Sequence, residues 1–230
     1  MAIVKKIKAR IISILNPVET VYTIELSPQN NKFKFNPGQF LHLALDEDYD
    51  GSGQWPESRC FSIQSNPSQE TIIISYSIKG CFTKLMEKQL EVGSEVWVKL
   101  PYGNLFTQSH DKINTVFIAG GTGITPFLSL FNDKSFVEYV SPILYFGFRN
   151  AKFDLYNAGL INAIKLNPSL KILKINQETE GVLNITEIYK ENPNAGSYFI
   201  SGPQLMISNF KTQLVNLGFD SEKIKTDEWE

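Results

Sequence analysis

Ala119-Gly120-Gly121-Thr122-Gly123-Ile124-Thr125-Pro126 follows one apolar run, Thr115 to Ala119, and opens another, Pro126 to Phe131. A buried strand that breaks into glycines and re-enters a helix is the setting a dinucleotide loop needs. Glycines let the chain turn tightly and let a pyrophosphate approach the backbone. Thr125 is placed to cap the helix, and Pro126 suits its first position. The helix N-terminus then presents unpaired N–H groups and partial positive charge to phosphates. The spacing is Gly-x-Gly-x-x-Pro, short of the full Gly-x-Gly-x-x-Gly fingerprint. Taken alone, the loop fits a nucleotide site or a purely structural turn.

Downstream of this loop, strands alternate with helices. Strand patterns at 143–146, 170–175, 197–200 and near Ile224 are separated by helical patterns at 154–165, 185–190 and 204–217. That alternation predicts an α/β domain with a parallel sheet, with nucleotide chemistry at the strands' C-terminal ends. Upstream the rhythm differs. Runs rich in Ile, Val, Phe and Tyr at 8–15, 21–26, 39–45, 60–64, 71–77 and 95–100 are bounded by turn signals such as Asn36-Pro37-Gly38 and Asn66-Pro67. One helix, 82–90, interrupts them. Short strands at this spacing predict an antiparallel β-barrel or sandwich. The polar stretch Gln108-Ser109-His110-Asp111 marks the boundary, giving domains 1–108 and 109–230.

Bulk composition narrows the function classes. The chain has 230 residues, 42% hydrophobic and 20% charged, enough for packed cores. A net charge of −2 without any long basic run argues against nucleic acid. No stretch reaches the roughly 20 apolar residues of a membrane span, and the N-terminus lacks a signal peptide's apolar core. A cytoplasmic monomer is the expectation. Two cysteines, Cys60 and Cys81, are too few for a disulfide scaffold or an iron–sulfur cluster, which usually takes about four thiolates. A one-electron carrier, in an electron-transfer protein of this composition, has to be another molecule.

Two further constellations lie in the barrel half. Arg59-Cys60-Phe61-Ser62 combines a planar phosphate-binding fork, an aromatic ring and a hydroxyl on one strand. Alternation directs residues 59 and 61 to one face and 62 to the other. A surface Arg beside a core Phe is the alternative. Lys79-Gly80-Cys81-Phe82-Thr83 runs from a strand into the helix, where Thr83 and the helix N–H groups could hold a phosphate or form an ordinary cap.

Together and in this order, the three segments resemble the ferredoxin–NADP reductase superfamily. Pro101-Tyr102-Gly103, Phe146-Gly147-Phe148-Arg149, Ser201-Gly202-Pro203-Gln204 and the acidic-x-aromatic ending Asp227-Glu228-Trp229 extend the resemblance over nearly the whole chain. The resemblance implies a stand-alone flavin-binding barrel followed by an NAD(P)-binding domain. FAD is preferred to FMN, and NAD(P)H is the co-substrate. Arg59 would pair with the flavin phosphate, Phe61 would stack on the ring system, and Ser62 would hydrogen-bond near N5. Thr83, with the amides of Gly80, Cys81 and Phe82, would hold the pyrophosphate. Gly121, Thr122, Gly123, Arg149, Gly202 and Pro203 would bind the nicotinamide cofactor. Ser201 would lie near nicotinamide C4, and Trp229 would cover the flavin until the nicotinamide displaces it. With Ser62, these two are the residues implied in catalysis, and no metal site is implied. The implied reaction carries hydride between NAD(P)H and flavin, then electrons to a separate ferredoxin or flavodoxin. Reduction of free flavin or small oxidants, and a non-catalytic binding subunit, are the alternatives.

Some positions depart from the family pattern. Ser201 stands where Cys is usual, Phe61 where Tyr is common, and Cys81 where a second Gly is frequent. Cys60 and Cys81 are expected to be small buried residues, His42 structural and His110 a linker residue. Lys5, Lys6, Lys8, Arg10, Lys32, Lys34, Lys84 and Lys88 fit either a basic docking rim or scattered solvated charges.

Overall fold

Period-two alternation builds the first half. On β1 (Lys5–Val18), Ile7, Ala9 and Ile11 are buried while Lys8 and Arg10 point outward. β1 pairs antiparallel with β2 (Val21–Pro28) and with β6 (Glu95–Tyr102), whose Val96, Val98 and Leu100 face the same core. In the computed structural model, which describes residues 3–29 and 33–227, β3 (Phe40–Ala44), β4 (Ser58–Ser62) and β5 (Ile72–Ser77) complete a six-stranded antiparallel sheet. Its order is β4-β3-β6-β1-β2-β5. The barrel is not fully closed by its ladders. Just beyond β4 the Gln64 N–H donates to the Ile73 carbonyl at 2.8 Å, one bond between the two end strands. α1 (Cys81–Gln89) drives Phe82 and Met86 into the core, which it shares with Leu41, Leu43, Ile24 and Ile74.

The chain divides into two compact units, Met1–Asn104 and Leu105–Glu230. The second opens with Leu105 and Phe106, whose side chains pack into its own core. There, β7 (Thr115–Gly120), β8 (Ile143–Phe148), β9 (Lys171–Asn176), β10 (Ser197–Ser201) and β11 (Ile224–Thr226) form a parallel sheet ordered β11-β10-β7-β8-β9. β10 is buried throughout and β7 from Thr115 to Ala119, as central parallel strands covered on both faces should be. Alternate residues feed two cores. Phe117, Ala119 and Phe199 meet α2 (Thr125–Phe131) and α3 (Asn157–Leu166) on one face. Val116, Ile118, Tyr198 and Ile200 meet α5 (Ile185–Glu191) and α6 (Gln204–Asn216) on the other. The single-turn α4 (Gln177–Glu180) follows β9 directly. Among the described residues, no helix is long and apolar enough to cross a membrane.

The first face is an aromatic cluster. Phe117 contacts Phe127, Phe131, Phe136, Tyr139 and Phe199, most of them in edge-on or tilted geometry. His110 joins it, correcting the expectation of a linker residue. Its Nδ1 lies 2.7 Å from the Gln108 carbonyl and its Nε2 2.7 Å from the Tyr139 hydroxyl, and its ring meets Phe199 edge-on. With Nδ1–H donating to the carbonyl, Nε2 accepts the tyrosine proton, so the arrangement suits the neutral ring.

Burial pushes the His110 imidazole below its ordinary range, partly opposed by its bond to Gln108, and burial lowers His42 as well. A His whose folded pKa is depressed takes up its proton first in the unfolded chain. Stability is therefore full above about pH 6.5 and falls as the pH drops from there towards the folded value. Thermal melts from pH 7.5 to 5.5 should show this decline, shallower in His110→Gln. Equal slopes for the two proteins would contradict it.

Candidate functional site

In the first unit, two motifs far apart in sequence meet. Arg59 leaves β4 with its Cζ 5.3 Å from the ring centroid of Phe82, the second residue of α1. The guanidinium thus lies at the start of a helix whose first turn carries no acidic side chain. First-turn N–H groups have no partner within a helix, so a forked cation and helix donors converge on one place. Nη1 of Arg59 donates to the Ser58 carbonyl at 2.8 Å, and Nη2 lies 3.2 Å from Glu57 Oε1.

The neighbouring side chains divide between ligand-facing and structural positions. Thr83 Oγ1 accepts from the Lys79 and Gly80 N–H groups at 3.0 and 3.2 Å and donates to the Gly80 carbonyl. Its hydroxyl therefore holds the turn. Phe61 and Ser62 are both buried at the end of β4. Phe61 is packed in the barrel core with its ring tilted against Tyr76. Ile63, the next residue but one, is fully buried too. Cys81 is exposed, against the expectation of burial, because it opens the helix on the solvent side. Cys60 is half-buried, with Sγ 3.6 Å from both ring nitrogens of His42, its partner across β3 and β4. Burial raises the thiol and lowers the imidazole, so both stay neutral at neutral pH.

In the second unit, the glycine loop and the Ser201-Gly202-Pro203 loop leave adjacent paired strands, with Ala119 opposite Ser201. Their backbones touch. A Cβ on Gly123 would stand 2.5 Å from both Cα and N of Gly202, and one on Gly202 would stand 2.7 Å from Met206 Cε. Gly121 adopts φ +55°, the left-handed region that favours glycine. The chain then forms a 3₁₀ turn, Gly121–Ile124, before α2. Thr125 does not cap that helix. It is already helical, and its hydroxyl donates back to the Thr122 carbonyl at 2.9 Å, because the 3₁₀ turn moves the helix start to Ile124. At this same end of the paired strands, the buried Ser201 hydroxyl donates to Asp227 Oδ2 at 3.1 Å. The Asp227 N–H holds the Ile200 carbonyl. Sequence reasoning named both residues and missed the pairing, which depends on the β10–β11 register, Ile200 opposite Thr226.

Arg149 is exposed after β8, its Cζ 5.0 Å from the Phe153 ring centroid, and its carbonyl accepts from the Glu178 N–H. Lys174 gives its charge to Asp154, 2.8 Å away. Leu183 covers Gly147, where a Cβ would meet it at 2.7 Å. Trp229 lies outside the described residues, as does Lys32. Part of the basic rim has internal partners: Lys8 and Arg10 both pair with Glu95, and Lys6 binds the Tyr49 hydroxyl and the Gly53 carbonyl.

No protein-family model matches the chain. Curated relatives do. The reductase component of propane 2-monooxygenase from Mycolicibacterium goodii is 27% identical over 160 residues, which are 66% of this chain and 43% of that protein. The phenol hydroxylase P5 protein of Acinetobacter pittii is 25% identical over 245 aligned residues, 98% of this chain and 66% of that one. This chain thus spans less than two thirds of either relative. Among solved structures, a ferredoxin NADP+ reductase from Neisseria gonorrhoeae, with bound FAD and NADP, superposes with a TM-score of 0.80 at 17% identity, covering 96% of this chain and 98% of that one. The fold is therefore the ferredoxin–NADP reductase-like pair of a barrel-like antiparallel sheet and a parallel sheet flanked by helices, as the sequence resemblance implies.

The loop-to-loop contact can be tested by stability. Gly123→Ala forces its methyl into the Gly202 backbone and should cost about 1–3 kcal/mol. Gly80→Ala, where a Cβ meets nothing within 4 Å, should be near neutral. Denaturant midpoints that move equally for both variants would refute the close approach.

Proposed function

We propose that the chain is an NAD(P)H-dependent flavoprotein reductase that binds FAD and delivers electrons to a separate protein acceptor. The observation that carries the reading is the meeting of Arg59 with the start of α1. A fork of guanidinium donors and unpaired helix amides at one point fits a phosphate group, the anchor a flavin nucleotide offers. The second unit supports the coenzyme half of the reading. Its glycine loop and the loop at Ser201 stand side by side at the C-terminal ends of β7 and β10, where open parallel sheets bind nucleotides.

When bound, a flavin supplies the hydride acceptor and the capacity to release electrons singly. The chain's own residues bind and orient. Arg59 and the Cys81 and Phe82 amides hold phosphate. Ser62, buried at the end of β4, offers a hydroxyl fixed by its strand. Gly121, Thr122 and Gly123 allow backbone approach to a pyrophosphate, with Gly202 and Pro203 beside them, and Arg149 offers a cation for the coenzyme's phosphates. Ser201, held by Asp227, presents a small polar group in a fixed direction, and Trp229 completes the set as a cover for the ring.

With two cysteines, neither paired in a disulfide, an iron–sulfur carrier has to come from outside these 230 residues. The Mycolicibacterium goodii relative is named as the reductase component of propane 2-monooxygenase, which supports a protein acceptor. We read that acceptor as a ferredoxin- or flavodoxin-like carrier, the setting as cytoplasmic and the chain as a monomer.

Anaerobic titration of the purified protein with NADH and with NADPH should bleach the flavin absorbance. A preparation that stays colourless after incubation with FAD and FMN would reject the function. Arg59→Ala should weaken FAD binding by about 10- to 100-fold, the worth of charge-assisted bonds to phosphate, and a fully loaded mutant would count against its role. Ser201→Ala should slow anaerobic flavin reduction in stopped flow with flavin content unchanged. An unaltered rate would remove Ser201 from the reacting centre.

A further inference from the structure

The guanidinium assigned above to phosphate already has an anion on it. Nη2 of Arg59 lies 3.2 Å from Glu57 Oε1, while Nη1 is held by the Ser58 carbonyl at 2.8 Å and the Cζ rests 5.3 Å from the Phe82 ring centroid. Phe82 is fixed in the core by α1, so the guanidinium that leans on its ring sits at the helix start. No acidic side chain belongs to that first turn. The carboxylate that serves the place comes instead from Glu57, in the segment entering β4. We propose that Glu57 is a built-in competitor of the flavin phosphate for Arg59, holding the fork in its ligand-ready position and setting how readily the flavin exchanges.

Geometry and exposure favour exchange over permanent pairing. The two side chains are 75% and 53% exposed, so water screens the pair and its contribution is small. A phosphate can engage the same fork through two parallel hydrogen bonds and adds the helix N–H groups, which Glu57 leaves unused. The carboxylate therefore yields to phosphate, at a cost that lowers flavin affinity. It does nothing for the isoalloxazine or the ribityl chain. Its effect should appear with phosphorylated flavins alone and only while Arg59 is present.

This inference rests on the flavin reading, and one set of measurements separates the two. Dissociation constants of the flavin-free full chain for FAD, FMN and riboflavin would be measured by flavin fluorescence for the wild type, Glu57→Gln, Arg59→Ala and the double variant. Glu57→Gln should tighten FAD and FMN by about two- to fivefold, the range open to an exposed pair, and leave riboflavin unchanged. On the Arg59→Ala background the same substitution should have no effect. An absent gain, an equal gain with riboflavin, or a gain that persists without Arg59 overturns the role of Glu57 while leaving flavin binding standing. A wild type that binds none of the three flavins overturns both.

Discussion

The second unit depends on two main chains lying closer than side chains permit. Where the loops after β7 and β10 meet, glycine is required on both sides, since a methyl on either would strike backbone or Met206. Such contact can be made only if neighbouring parallel strands end level with each other, and Ala119 opposite Ser201 shows that they do. The fully buried apolar residues of both strands fix that register from below. Packing at the sheet's centre and backbone exposure at its end are thus one arrangement.

The first unit solves a different problem, bringing together a cation and a helix end separated by some twenty residues of chain. β4 delivers Arg59 and β5 leads into α1, and the two strands lie at opposite ends of the sheet order. The curl of the sheet joins them, through the Gln64–Ile73 bond and the common core. Phe82 serves both sides, burying one surface in that core and offering its ring to the guanidinium. Elsewhere cations are matched locally. Glu95 alone accepts from Lys8, Arg10 and Gln29, so the outer face of β1 carries less free charge than its lysines suggest.

Much of this was legible in the sequence because period and punctuation agree. The run Thr115 to Ala119, closed by glycines, reads as a buried strand, and Ile7, Ala9 and Ile11 alternate with Lys8 and Arg10 as a strand with one solvated face must. What stayed hidden was tertiary. Thr125 before a proline reads as a cap, yet the 3₁₀ turn ahead of it takes the helix start one residue earlier. His110 sits in a polar stretch, and nothing local reveals that Tyr139 and Phe199 close around it. Phe61 satisfies a ligand-binding pattern and a core pattern equally well, and its tilted contact with Tyr76 depends on the curl of the sheet. The meeting of Arg59 with Phe82 and of Ser201 with Asp227 depends on strand order and register, which one sequence without relatives does not contain.

β9 forms one margin of the parallel sheet, with β8 as its single neighbour among the described strands. Unpaired strand margins recruit other strands and seed aggregation unless something discourages them. Lys171 and Lys174 lie within this strand, and the second is tied to Asp154. Sliding a foreign strand alongside would mean stripping water from one ammonium group and disturbing an ion pair at the other. Charge on this margin thus works against copies of the protein joining margin to margin at high concentration.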